Sequence, residues 1–86
     1  MTKLQQCLYQ NIVEERCASL TENEAYRLVR RQRNEAEARL TASLSDEQQR
    51  LFNQYADQEN YIIDMQLRHV FQETLLIVHD ILNLSL

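Results

Sequence analysis

The sequence contains no glycine, no proline and no tryptophan. Without glycine or proline the usual tight β-turns cannot be written, which excludes a β-fold built from hairpins. The same absence removes any glycine-rich phosphate loop or nucleophile elbow. Lysine occurs once, at Lys3, and histidine twice, at His69 and His79. The two cysteines, Cys7 and Cys17, lack C-x-x-C spacing, and two thiols fall short of a structural zinc set. They read as small apolar residues buried in a reducing compartment. The most apolar run, residues 75–86, is interrupted by His79, Asp80 and Asn83 and is too short for a bilayer. No signal-like apolar region follows Met1-Thr2-Lys3, so the expectation is a cytoplasmic protein with no membrane partner.

What is present points to helices. The chain has 86 residues, 44% of them hydrophobic and 26% charged, which suits one folded domain over 1–86. So small a domain buries only about 60 to 65% of its unfolded surface unless a partner adds core. Leucine, glutamine, glutamate, arginine and alanine dominate, all good helix formers. The predicted fold is all-α: an antiparallel helical hairpin with a long C-terminal helix, plus a short N-terminal helix, forming a three-helix bundle that dimerises.

Leu4, Cys7 and Leu8 give one stripe on a first helix over residues 3–10. Residues 11–20 either continue that helix or form a loop with its apolar side down; the loop is the expectation. Thr21-Glu22-Asn23-Glu24 matches a capping box and opens a second helix over 22–43. Ser45-Asp46-Glu47-Gln48 is a second start signal, opening a third helix over 45–83. The link between these two is a residue or two, which predicts an antiparallel pair. The third helix would run about 57 Å and exceed the second by about 24 Å. The excess lies at the C-terminal end, where Leu67, Phe71, Leu75, Val78 and Leu82 form an i, i+4 ridge. Val70, Ile77 and Ile81 occupy the neighbouring surface. This end is expected to self-associate through Leu67, Val70, Phe71, Leu75, Val78, Ile81 and Leu82. A break near Asn60 that folds the end back is the competing arrangement.

Net charge is −4 and unevenly spread. The second helix carries Arg27, Arg30, Arg31, Arg33 and Arg39, balanced by glutamates at i, i+4 spacing such as Arg31/Glu35 and Arg33/Glu37. Arg27, Arg30 and Arg31 share a face that could grip an acidic partner. The third helix carries Asp46, Glu47, Asp57, Glu59, Asp64, Glu73 and Asp80. Of these, Asp57, Glu59 and Asp64 are candidates for contact with a basic, nucleic-acid-handling protein. The acidic balance argues against direct nucleic-acid binding, and no groove-fitting motif accompanies the arginines. His69 and Glu73 stand at i, i+4 near Asp80, but a helical carboxylate site needs matched residues from several helices. No catalytic residue, cofactor or metal is therefore assigned, and the protein reads as a non-enzyme.

Three short motifs carry a family resemblance. They are Leu4-x-x-x-Leu8-Tyr9-x-Asn11-Ile12, Leu51-Phe52-x-x-Tyr55-x-Asp57, and Phe71 nine residues before Asp80. The chain resembles an uncharacterised family of small all-helical proteins from Gram-positive bacteria and their mobile elements. It departs from that pattern at Gln10, Glu14, Val70 and Thr74, where the family tends to carry glycine or proline. The resemblance implies no activity, but it implies a phage or mobile-element accessory protein. The resulting expectation is a protein–protein interaction module that self-associates through its last helix. The alternative is an inhibitor of a host defence nuclease, of anti-CRISPR type, acting by occlusion or nucleic-acid mimicry. A nucleic-acid accessory factor using the arginine patch is the third reading.

Overall fold

A computed structural model describes residues 1–84, with side chains through Asn83. Every element among them is helical, and no strand is present. The order is α1 (Lys3–Tyr9), a π-helical turn (Gln10–Glu14), α2 (Glu15–Ala18), a 3-10 turn (Ser19–Glu22), α3 (Glu24–Ser43) and α4 (Asp46–Leu84).

Local chemistry explains each start. Thr2 caps α1 with a reciprocal box: its hydroxyl accepts from the Gln5 amide at 3.2 Å, and the Gln5 side chain accepts from the Thr2 amide at 3.0 Å. The same reciprocal pair opens α4 between Ser45 and Gln48, at 3.2 and 3.0 Å. Asp46 and Glu47 fill the first turn of α4, where the helix dipole favours carboxylates. The start of α3 lies two residues later than the Thr21 capping box predicts. The Thr21 hydroxyl donates to the Ala18 carbonyl at 2.8 Å, and Asn23 caps α3 instead, accepting from the Tyr26 amide at 2.9 Å. A hydroxyl spent on the preceding turn cannot also cap the next helix.

The expected loop over 11–20 is replaced by helix. From Lys3 to Glu22 the backbone never leaves the helical region; it only widens into a π turn and then tightens into a 3-10 turn. Because the chain has no glycine or proline, nothing in this stretch breaks the hydrogen-bond ladder. The alternative of a break near Asn60 is also overturned, since α4 is one unbroken helix of 39 residues.

α4 is longer than anything available to cover it. The molecule measures 61 × 30 × 19 Å, and its radius of gyration is 18.2 Å. A compact chain of this length would have a radius near 12 Å. α1 rests on the C-terminal half of α4. α3 faces the N-terminal half across an open cleft lined by Arg33 and Glu37 on one side and Phe52, Ala56 and Asn60 on the other. Gln49 ties the turn shut, donating to the Thr41 carbonyl at 2.9 Å and the Leu44 carbonyl at 3.3 Å. The result is an open frame of helices, and among the described residues only Tyr9 and Phe71 are buried.

Candidate interaction surfaces

Among the described residues, the one packed site joins α1 to α4. Tyr9 is 3% exposed and Phe71 is 7% exposed, and their rings meet edge to face at 5.4 Å with 75° between planes. That geometry sets a positive ring edge against a negative ring face. The Arg68 guanidinium lies over the Tyr9 ring at 4.7 Å, a cation–π distance. Arg68 also donates through Nε to Asp64 at 2.9 Å and comes within 3.9 Å of Glu14. Arg68 thereby closes the site over, with its guanidinium on an aromatic face and its charge met by two carboxylates.

The π turn makes this convergence work. Tyr9 and Glu14 are five residues apart, which in an α-helix would set them about 140° from each other. An i→i+5 turn stacks residues five apart on one face. The amide of Glu15 indeed donates to the Gln10 carbonyl, five residues back. The wider turn thus brings Tyr9 and Glu14 to the same arginine. Tyr9 and Phe71 each stand in a motif that carries the family resemblance, but their pairing across some sixty positions through a π turn leaves no local signal.

Burial raises the Tyr9 phenol above its ordinary pKa of 10.0; Asp64 adds to the rise, Arg68 opposes it, and Glu14 adds again. The Asp64 hydrogen bond raises the Arg68 pKa further, so its charge is permanent. The docked arm therefore holds the phenol proton more tightly than the undocked arm. That contribution is complete below about pH 10 and is lost as the pH climbs through the docked value. Phenolate absorbance should show one of the four tyrosines titrating late, with α1 loosening in step. Tyr9→Phe should remove that late step, and an unchanged titration would contradict the assignment.

The rest of α4 presents apolar side chains to solvent. Ile63, Leu67, Val70, Ile77 and Ile81 are all exposed, Val70 at 61% and Ile77 at 58%. Their spacing alternates three and four residues, with Asn60 and Thr74 completing the repeat. This is a heptad seam on α4, its centre about 70° around the helix from Phe71. The sequence reading placed Phe71 in the self-association ridge. The structure withdraws it, because Tyr9 covers it, and half-buries Leu75 beside it. Val70 and Ile81 lie on the open seam, Leu67 at its edge, and Val78 and Leu82 are exposed along the flank. Ile63 and Ile77 belong to the seam and were not in that ridge; their recurrence every seven residues around Val70 is the signal that finds them.

The charged candidates stay apart. Arg27, Arg30 and Arg31 line a shallow groove on α3 with Asn34, Glu35 and Ala38. Arg27 also donates to the Thr21 carbonyl. None of the expected α3 arginine–glutamate pairs forms among the described residues; the ion pairs there are Arg50–Glu47 and those of Arg68. Asp57 and Glu59 are exposed on α4, while Asp64 is taken by Arg68. Asp57 borders a small hollow with Gln58, Tyr61 and Ile62. The cysteines are not core: Cys7 and Cys17 are free thiols and exposed, since no described residue covers their side of the N-terminal arm. His79 bonds Asn83 at 3.0 Å, and no cluster of three metal-ligating side chains exists among the described residues. No helix there is long and apolar enough to cross a membrane.

Residues 1–75 match the family of unknown function DUF6809, and the chain belongs to that family. No curated protein and no solved structure matches it.

Proposed function

We propose that this member of the DUF6809 family is a non-enzymatic interaction module that self-associates through α4, its α3 and α4 forming an antiparallel hairpin. One observation carries the reading: the chain leaves too much surface open to stand alone. Its accessible surface is 7583 Å². A folded monomer of its 10.3 kDa exposes about 5,400 Å². The surplus of about 2,200 Å² per chain, doubled for two chains, falls in the range of obligate homodimers. Much of it is leucine, isoleucine and valine on α4, the composition of a core cut in half.

A role as a cytoplasmic accessory protein of a bacterial mobile element rests on the resemblance carried by the three sequence motifs. The Arg27, Arg30 and Arg31 groove supports a second contact, to an acidic partner, because none of the three makes an ion pair among the described residues. The test of the main reading is the mass in solution. Sedimentation equilibrium at tens of micromolar should return a mass near twice 10.3 kDa; a monomer would remove the reading.

A further inference from the structure

The self-association just proposed leaves its geometry open, and the heptad seam supplies it. We infer that two copies pair with their α4 helices antiparallel about a two-fold axis near residue 65, each copy's α3 covering the other's C-terminal arm. This rests on the self-association reading and goes beyond it in orientation, register and coverage.

Lengths carry the first part of the argument. α3 has 20 residues and α4 has 39, so α3 runs beside only half the length of α4, across the open cleft. The C-terminal half, met by the N-terminal arm on the Phe71 side alone, is as long as α3, about 30 Å. An antiparallel partner brings a second α3 to that half. A parallel partner would stack both α3 helices at one end and leave both C-terminal arms bare.

Continuity carries the second part. The face of α4 that meets α3, through Gln49 and along the cleft past Phe52, Ala56 and Asn60, runs on without interruption into Ile63, Leu67, Val70, Ile77 and Ile81. One groove therefore continues past the end of its own α3, and the segment that fits the remainder is a second copy of that helix. The cost of leaving this groove open to water is a large apolar exposure that monomeric proteins avoid.

Register carries the third part. The midpoint of Asp46–Leu84 is residue 65. Full overlap then sets Ile63 against Leu67 of the second copy, Asn60 against Val70, and Ala56 against Thr74. Each layer joins one of the two alternating seam positions to the other, the pairing antiparallel helices use. An arbitrary overlap would break that alternation. The axis passes at the level of Met65, so no like charges meet across it.

The test uses a single spin label at His79→Cys in the Cys7→Ser, Cys17→Ser chain, read by pulsed dipolar spectroscopy. His79 lies off the seam. Residue 79 is 14 positions from the axis, so the antiparallel arrangement separates the two labels by about 42 Å along the helices. Parallel helices in register would bring them within about 25 Å, the width of two packed helices. A dimer with the long distance supports the inference. A dimer with the short distance overturns it while leaving self-association standing. No dipolar coupling, together with a monomeric mass, overturns both.

Discussion

Replacing Val70 and Ile77 together by aspartate should abolish self-association. Both residues are exposed on the isolated chain, so nothing inside that chain is disturbed. In the paired state the change would bury two carboxylates per chain in an apolar seam, four in all. Burying an unpaired charge costs several kcal/mol. The association constant should fall at least a thousandfold, equivalent to about 4 kcal/mol. Leu76→Asp provides the matched control: the same chemistry on the same helix, at a side chain 57% exposed but turned away from the seam. It should leave the mass in solution unchanged. Equal effects from the two would mean that α4 is merely intolerant of charge. Retained pairing in the double variant would show that the seam is not the contact.

Phe71→Ala should release the N-terminal arm without touching pairing. Phe71 and Tyr9 are the two buried side chains of the described chain, so the substitution removes half of the core. Phenylalanine-to-alanine changes in cores cost about 3 to 5 kcal/mol, and a shallow site that can collapse belongs at the low end. A loss of about 3 kcal/mol would raise the undocked population of residues 3–22 about a hundredfold. Amide exchange and proteolysis across 3–22 should accelerate accordingly. Exchange across residues 46–66 should hold, as should the mass in solution, because the Tyr9–Phe71 contact lies on a different side of α4 from the seam. A simultaneous loss of pairing would show that the arm and the seam are one cooperative unit, against the division argued above.

These two sites differ in how plainly the sequence announces them. α4 is legible at once: Ser45 and Gln48 open it with reciprocal bonds, and no residue type present can stop it. The surplus of α4 over α3 follows from counting. The seam is legible too, once Ile63, Val70 and Ile77 are read at seven-residue intervals and not along the i, i+4 ridge through Phe71. That ridge misleads at Phe71, which the protein's own arm covers. The Tyr9 site is not legible. Its parts come from residues 9, 14, 64, 68 and 71, and they meet through a π turn that no capping residue or breaker foretells. Residues 11–20 looked like a loop because Ile12, Val13 and Cys17 fit no regular helical period; a turn of different pitch produces that irregularity. Cys7 and Cys17 looked like core because cysteine often is. In a frame with so little interior, composition says little about which side chain is covered.

The charged surfaces follow the same logic. Isolated helices pair arginine with glutamate at i, i+4 for a few tenths of a kcal/mol, too little to hold long side chains in one geometry on an exposed face. Arg33 accordingly bonds the neighbouring Asn34 instead of Glu37. Where geometry is enforced, as at Arg68, the pairing persists.

The central claim is that the C-terminal half of α4 obtains its cover from a second copy of the chain. Sedimentation equilibrium of the unmodified protein, followed through a dilution series from high to sub-micromolar concentration, tests it most directly. The account predicts a weight-average mass near twice 10.3 kDa at the concentrated end, falling toward one chain on dilution. A mass of one chain throughout the series, with α4 still fully helical, would contradict it.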